Sequence, residues 1–430
     1  MDHIPHKLTG RRIGFISTRL EGTDGVSLET EKWVQVLEGL NCQCFFFAGA
    51  CEWDAACSRV VPEAHFKHPE IQKINEIAFT ERYRPPEVTR AIHTLTQHLK
   101  KHIYAFVHEF KIELLVVENA LAIPMNIPLG LALTEYIAET GSPTIAHHHD
   151  FFWERKRFLV NCVWDYFNMA FPPHLPSVHH VVINSSAANQ LSLRTGISSL
   201  LIPNVMDFDH PPAQPDEYSA DVRQAFQIAP GEWFFLQPTR VVPRKGIEHA
   251  IELTRRLGSR AHLVVSHASG DEGYAYERYL RGYAGLLNVT VNFEADLIKD
   301  QRGAIANRKV YTLYDVYPWA DLVTYPSDIE GFGNAFLEAI YFRKPIVVNN
   351  YSIFDIDIKP KGFQVIEFDG YITDETVQKT QQVLEDPDQA QEMAEHNYRL
   401  ARRHYSFSML ERRLQTILAD CFGEDALNHA

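Results

Sequence analysis

The chain has little of what would mark an exported, membrane-embedded or nucleic-acid-binding protein. Cysteine is scarce: six in 430 residues, at 42, 44, 51, 57, 162 and 421, with no pair at the two-residue spacing of a zinc knuckle or redox motif. These read as reduced thiols of a cytoplasmic protein. No apolar run approaches the ~20 residues needed to cross a bilayer, and the polar start from Met1 to Arg12 does not resemble an export signal. Basic charge is also short, 41 Lys and Arg against 55 Asp and Glu, net −14, which opposes general attraction to nucleic acid or anionic lipid. There is no internal repeat and no low-complexity tract.

What is present is a long chain with 45% hydrophobic residues, enough for two or three domains. Ile13–Ser17 reads as a buried strand, Thr18–Ser27 as a loop containing Gly22 and Gly25, Leu28–Leu40 as a helix and Cys42–Phe47 as a second strand. That unit is the signature of a parallel α/β sheet, in which ligands gather at the carboxyl ends of strands. Residues 52–86 show no clear period. From Glu87 to Lys111, Val88, Ile92, Leu95, Leu99, Ile103, Phe106 and Phe110 recur at helical spacing. Strands at Leu114–Val117 and Thr144–Ala146 follow. Pro211–Asp216 has the composition of a linker, which sets a boundary near 210. After it, strands near Trp233, His262, Val289, Asp321 and Pro345 alternate with helical segments, a second doubly wound unit.

The stretch Tyr325–Ile340 carries the strongest chemical signal. It holds Glu330 in a turn with Gly331 and Gly333, and Glu338 inside a helical run. At about 100° per residue the two carboxylates would sit roughly 80° apart on one helix, so Glu330 belongs to the loop. A helix opening near Asn334 aims N–H groups and its positive dipole end into that turn. An ordinary strand-to-helix turn capped by Asn334 explains the same residues. A second loop supplies Arg240 and Lys245. Fixed cations beside a helix N-terminus suit a diphosphate, and carboxylates suit ribose or sugar hydroxyls, so together they point to a nucleotide-sugar.

His147, His148 and His149 cannot all face one way along an extended chain. Zinc fits them poorly, since adjacent ligands are badly placed and no further His/Cys pair is near. One histidine next to Asp150 suits a polar or catalytic role. Arg155, Lys156 and Arg157 form a basic cluster that is either a solvated face or an anion holder. Asp207-Phe208-Asp209 and Asp355-Ile356-Asp357 look like metal-binding pairs but read as structural.

On these residues the chain resembles the retaining glycosyltransferases of family 4, with the GT-B fold. The likeness rests on the Gly22–Val26 loop, His149-Asp150, Ile202–Asp207, Arg240 with Lys245-Gly246, and Glu330 through Glu338. It implies two doubly wound Rossmann-like domains facing a cleft: 1–210 for the acceptor, 211–400 for the donor, and 401–430 as a helix crossing back. It also implies that His149, Arg240, Lys245 and Glu330 are catalytic. Arg240 and Lys245 would bind the donor diphosphate and Glu338 its ribose. Gly25, Gly331, Phe332, Gly333 and Asn334 would also meet the donor, with Asp296 and Leu297 beside the base. Asp24 and Arg155–Arg157 are expected at the acceptor. Two features depart from the family pattern: Asp24-Gly25 replaces a glycine pair, and Tyr351–Phe363 replaces a short glycine-rich turn.

The expected activity is metal-independent transfer of a hexose, glucose or mannose, from a UDP- or GDP-sugar to a small polar, anionic acceptor, as in sucrose-phosphate or glucosylglycerate-type solute synthesis. No cofactor beyond that substrate is expected, nor any nucleic-acid partner or stable membrane insertion, while homo-oligomerisation is left open. Two alternatives stand beside it: a glycan or lipid-linked acceptor, and a catalytically silent nucleotide-sugar-binding protein.

Overall fold

The computed structural model describes residues 9–22, 24–269 and 273–422. These divide into two compact units: one runs to Asn204 and resumes at Phe407, and the other is Val205–Ser406.

The first unit is built on a seven-stranded parallel sheet. Its strands are β1 (Arg12–Ile16), β2 (Gln43–Ala48), β3 (Ser58–Val60), β4 (Leu114–Glu118), β5 (Thr144–His148), β6 (Val178–Val182) and β7 (Leu200–Leu201), in the order β3-β2-β1-β4-β5-β6-β7. Both faces are covered by helices, so β4 is apolar and buried on both sides, as Leu114, Leu115, Val116 and Val117 require. The helix Pro86–Phe110 buries the apolar stripe seen in the sequence, from Val88 to Phe110. That stripe's C-terminal half joins Leu129, Leu133 and Ile137 of the helix Ile127–Thr140 in one core.

One expectation needs correction here. The first helix is Gly25–Gly39 and starts before Leu28, because the Asp24 carboxylate accepts from the backbone N–H groups of Val26 and Ser27 and caps it. Residues 52–86 are ordered: they contain β3 and the helix Pro69–Ala78, which opens on a proline and buries only Ile71, Ile74 and Ala78. So sparse an apolar face gave little period to read. The last helix, Phe407–Phe422, packs on Gly25–Gly39 and buries Leu410, Leu414, Ile417 and Leu418.

The second unit holds β8 (Trp233–Gln237), β9 (Ala261–Val265), β10 (Val291–Phe293), β11 (Gly303–Ile305), β12 (Arg308–Val310), β13 (Leu322–Tyr325), β14 (Ile346–Asn349) and β15 (Ile366–Phe368). Six of these form a parallel sheet in the order β10-β9-β8-β13-β14-β15, and β11 and β12 pair as an antiparallel hairpin. The unit begins at Val205, ahead of the proline-rich segment, because Phe208 is buried with its ring edge-on to Tyr341 and Tyr398 at 5.9 and 5.3 Å. It ends at Ser406 and not near 400, since Ala401 and Tyr405 are buried in the helix Pro387–Tyr405. Tyr351–Phe363 contains a π-helical turn at Phe354–Ile358 and a tighter turn at Lys359–Lys361.

In each sheet the strand order reverses once, between β1 and β4 and between β8 and β13. The carboxyl ends of strands at such a reversal diverge and leave a crevice for ligand.

Candidate active site

In the second unit, the loops leaving β8 and β13 meet at the reversal. Asp328 N–H donates to the Arg244 carbonyl at 2.9 Å. Gly246, at φ 56°, comes so near the other loop that a Cβ would lie 2.4 Å from the Pro326 carbonyl oxygen. Gly333, at φ 126°, is pressed as closely: a Cβ there would stand 2.6 Å from the Tyr351 hydroxyl. These two glycines let the loops converge.

What converges is charge. The Lys245 and Glu330 side chains are 10% and 9% exposed, and their charged ends are in contact. Arg244 Nη1 stands 3.4 Å from the second oxygen of the same carboxylate. Burial alone would raise Glu330, but Lys245 and then Arg244 outweigh it and hold the carboxyl below its ordinary range. Burial lowers the Lys245 ammonium, and Glu330 opposes that shift. Tyr325, fully buried, hydrogen-bonds Glu330 through its hydroxyl. Beyond β9, burial pushes His267 down to about 4, with Arg240 and Lys245 acting in the same direction against Asp300.

The helix Asn334–Tyr341 leaves the turn at Gly333, which is the N-cap and offers no side chain to cap it. Asn334 is therefore the first helical residue and not the cap, contrary to the turn reading. Glu338 lies about one turn along this helix from Asn334 and accepts from the Tyr317 hydroxyl at 2.8 Å. Arg240 is exposed, whereas Lys245 is buried. Permanent cations, a helix N-terminus and carboxylates within one loop pair can hold a diphosphate and its sugar hydroxyls.

In the first unit the histidines separate by face. His148 Nε2 meets His180 Nδ1 at 2.9 Å. His147 and His149 turn the other way, onto Glu118 at the end of the neighbouring strand, with His147 Nδ1 and His149 Nε2 at 3.0 and 3.1 Å from Glu118 Oε2. The three groups lie within 4.8 Å of one another. That spacing would admit a small cation, but the two hydrogen bonds into the carboxylate already account for it. Asp150 accepts from Asn119 Nδ2 at 2.8 Å and pairs with Arg155.

Residues 219–400 match the sequence family described as glycosyl transferases group 1. Over 445 aligned residues the chain is 31% identical to the mannosylglucosylglycerate synthase of Thermotoga maritima, covering 93% of this chain and 98% of that one. The chain belongs to the group 1 glycosyl transferases. The mannosylglucosylglycerate synthase of Petrotoga mobilis is 30% identical over 82% of this chain and 86% of its own. Among solved structures, HepE of Anabaena in complex with UDP and glucose matches 95% of this transferase and 100% of its own chain, at TM-score 0.65 and 12% identity. The sucrose-phosphate synthase of Thermosynechococcus elongatus matches 96% and 100%, at TM-score 0.65 and 14% identity. The fold is GT-B, with two Rossmann-like domains.

In this transferase the predicted donor residues fall into one loop system only in part. Glu330, Gly331, Phe332, Gly333 and Asn334 form the turn, and Phe332 is buried with its carbonyl accepting from Tyr351 at 2.8 Å. Asp296 is exposed and Leu297 buried in the turn after β10, at the edge of the same sheet. In the first unit Asp24, expected at the acceptor, is engaged by its cap and by Arg19 at 2.6 Å, and Gly25, expected at the donor, is the first helical residue. Arg155–Arg157 do not form one anion hole: Arg155 pairs with Asp150, the Arg157 guanidinium lies 4.6 Å over the Phe158 ring, and Lys156 is exposed. The Asp-x-Asp segments bind their own surroundings, Asp207 to His210 at 3.0 Å and Asp355 to Lys359 at 3.8 Å. Sequence reasoning missed Arg244, Tyr325, Tyr351 and Glu118. Of these, Glu118 left a trace, as the one charged residue closing the apolar run of β4.

Proposed function

We propose that this glycosyltransferase moves a hexose from a nucleoside diphosphate sugar to a small anionic acceptor, with retention of configuration and without a metal ion. The observation carrying this reading is the buried Lys245–Glu330 contact, joined by Arg244 and set at the reversal of the second sheet. A leaving diphosphate gains negative charge, and preorganised cations stabilise it without reorganisation at the moment of reaction. Arg240, Arg244 and Lys245 fill the place that a divalent cation takes in other transferases. Glu330 keeps Lys245 charged and positioned, and Glu338 with the Gly331–Asn334 backbone receives sugar and ribose hydroxyls. Retention follows if the acceptor attacks from the face the nucleotide leaves, the departing phosphate taking the acceptor's proton, with no enzymic nucleophile.

The two relatives that match most of the chain are named for a product built from mannose, glucose and glycerate. Within the proposed class, mannosyl transfer to glucosylglycerate is therefore the favoured reaction. The test offers GDP- and UDP-linked mannose and glucose against glucosylglycerate, glycerate, phosphoglycerate and fructose 6-phosphate, reading nucleotide release and product. Transfer to a glycerate-bearing acceptor, unaffected by chelator and with the donor's anomeric configuration kept in the product spectrum, is expected. Absence of transfer across the panel would sink the assignment.

A further inference from the structure

Glu118 has no role in the chemistry described so far. It ends β4 with no solvent exposure, at a position where a buried carboxylate is costly unless paired. Among the described residues no Lys or Arg meets it; its partners are the imidazoles of His147, which pairs with it in register on the neighbouring strand, and of His149 just beyond that strand. We propose that Glu118 is a positioning residue: seated between His147 and His149, its carboxylate orients His149 and keeps it an imidazolium, so that His149 meets substrate as a hydrogen-bond-donating cation and not as a proton acceptor. The role at substrate rests on the reading of His149 as an active-site residue; the charge state does not.

Geometry places the positive charge on His149. The His147 ring is stacked on Trp33 at 4.3 Å, and its Nε2 is buried with no hydrogen-bond partner among the described residues, so a second N–H there would face no acceptor. His149 lies at the edge of the cluster with its side chain 10% exposed. The charged and titratable groups around it are Glu118 from β4, Glu29 from the helix Gly25–Gly39, Asp150 on the following turn, and His147 and His148 on β5, which leads into it. Burial by itself lowers His149, and Glu118, with Glu29 and Asp150, overcomes this and raises it. Glu118 in turn would be raised by burial but is held down to about 2 by the histidine pair that donates into it. His148, which burial keeps low, contributes no cation. A cationic His149 agrees with a transfer in which the leaving phosphate, and not a side chain, takes the acceptor's proton.

The experiment follows ring-nitrogen and ring-proton resonances of the intact protein with 15N-labelled histidine, assigned with His149→Gln. In the wild type, His149 should show the imidazolium pattern at neutral pH. Glu118→Gln, which keeps the shape and an acceptor oxygen but removes the charge, should lower its titration midpoint by about 1–3 pH units. The alkaline limb of kcat should move down with it, while the donor KM changes little. A purely structural role for Glu118 would leave the midpoint in place. If Glu118→Gln does not fold, the wild-type spectrum alone decides: a neutral His149 ring at neutral pH overturns the proposal, as does stoichiometric metal in the purified protein. A shifted midpoint in a protein that transfers no sugar would uphold the pairing while the functional assignment fails.

Discussion

Each sheet of this transferase places one buried carboxylate at the carboxyl end of a strand beside its reversal point, and the two are neutralised differently. Glu330 is held by an ammonium and a guanidinium, which stay charged across the physiological range; Glu118 is held by imidazoles, which do not. The contrast separates a permanent electrostatic site, suited to a diphosphate whose charge is always present, from a site whose charge follows pH. It also separates two kinds of fragility. Losing Lys245 strands a carboxylate beside a surviving arginine, whereas losing Glu118 leaves His149 able simply to become neutral.

The largest effect tests the permanent side. Lys245→Ala should lower kcat by about 10²–10³, the usual cost of one preorganised donor at a developing charge, with turnover as the readout. Glu330→Gln should be nearly as damaging to activity, and because it leaves Lys245 buried without its counter-charge it should also cost about 3–5 kcal/mol of stability, measured by denaturant unfolding. A comparable loss from Arg244→Ala would show that the two cations are not ranked as their burial suggests.

The titratable side should show itself in stability against pH. Glu118 is depressed from 4.5 to about 2, so its contribution is full above the ordinary carboxylate range and is lost as pH falls through that window. His149 is raised from 6.5, so its contribution is full below 6.5 and fades as pH climbs through the raised value. The melting temperature of the wild type should therefore fall toward both limits more steeply than that of Glu118→Gln, and parallel curves would contradict the pairing.

Smaller effects are expected at the periphery. Gly333→Ala forces a Cβ to 2.6 Å from the Tyr351 hydroxyl at φ 126° and should cost about 1–3 kcal/mol of stability. Glu338→Ala should raise the donor KM roughly tenfold, about 1.4 kcal/mol, with kcat little changed.

Much of the fold was legible because parallel strands buried on both faces write continuous apolar runs, and the helix Pro86–Phe110 writes an unbroken 3.6-residue period. The helix Pro69–Ala78 and the hairpin β11–β12 were not, since the first has a narrow apolar face and the second is mostly exposed. At the site, Lys245 and Glu330 could be paired in advance by chemistry: a cation loop and a carboxylate loop at two strand ends. Arg244 could not be told from Arg240 by sequence, because which one turns toward Glu330 depends on the short turn at Pro243–Lys245. The pairing of Glu118 with His149 lies in strand order, which no local pattern encodes.

The second unit is an insertion. Chain enters it at Val205 and leaves at Ser406, and the two ends are stitched by a hydrogen bond from Met206 N–H to the Tyr405 carbonyl at 2.9 Å. The closing helix of the first unit is therefore the last described element to leave the ribosome. During synthesis the helix Gly25–Gly39 must wait for its partner while some two hundred residues are made and folded. A nascent chain stalled before Phe407 exposes the apolar face that this helix covers, whereas residues 205–406 are ready to fold as a module with adjoining ends.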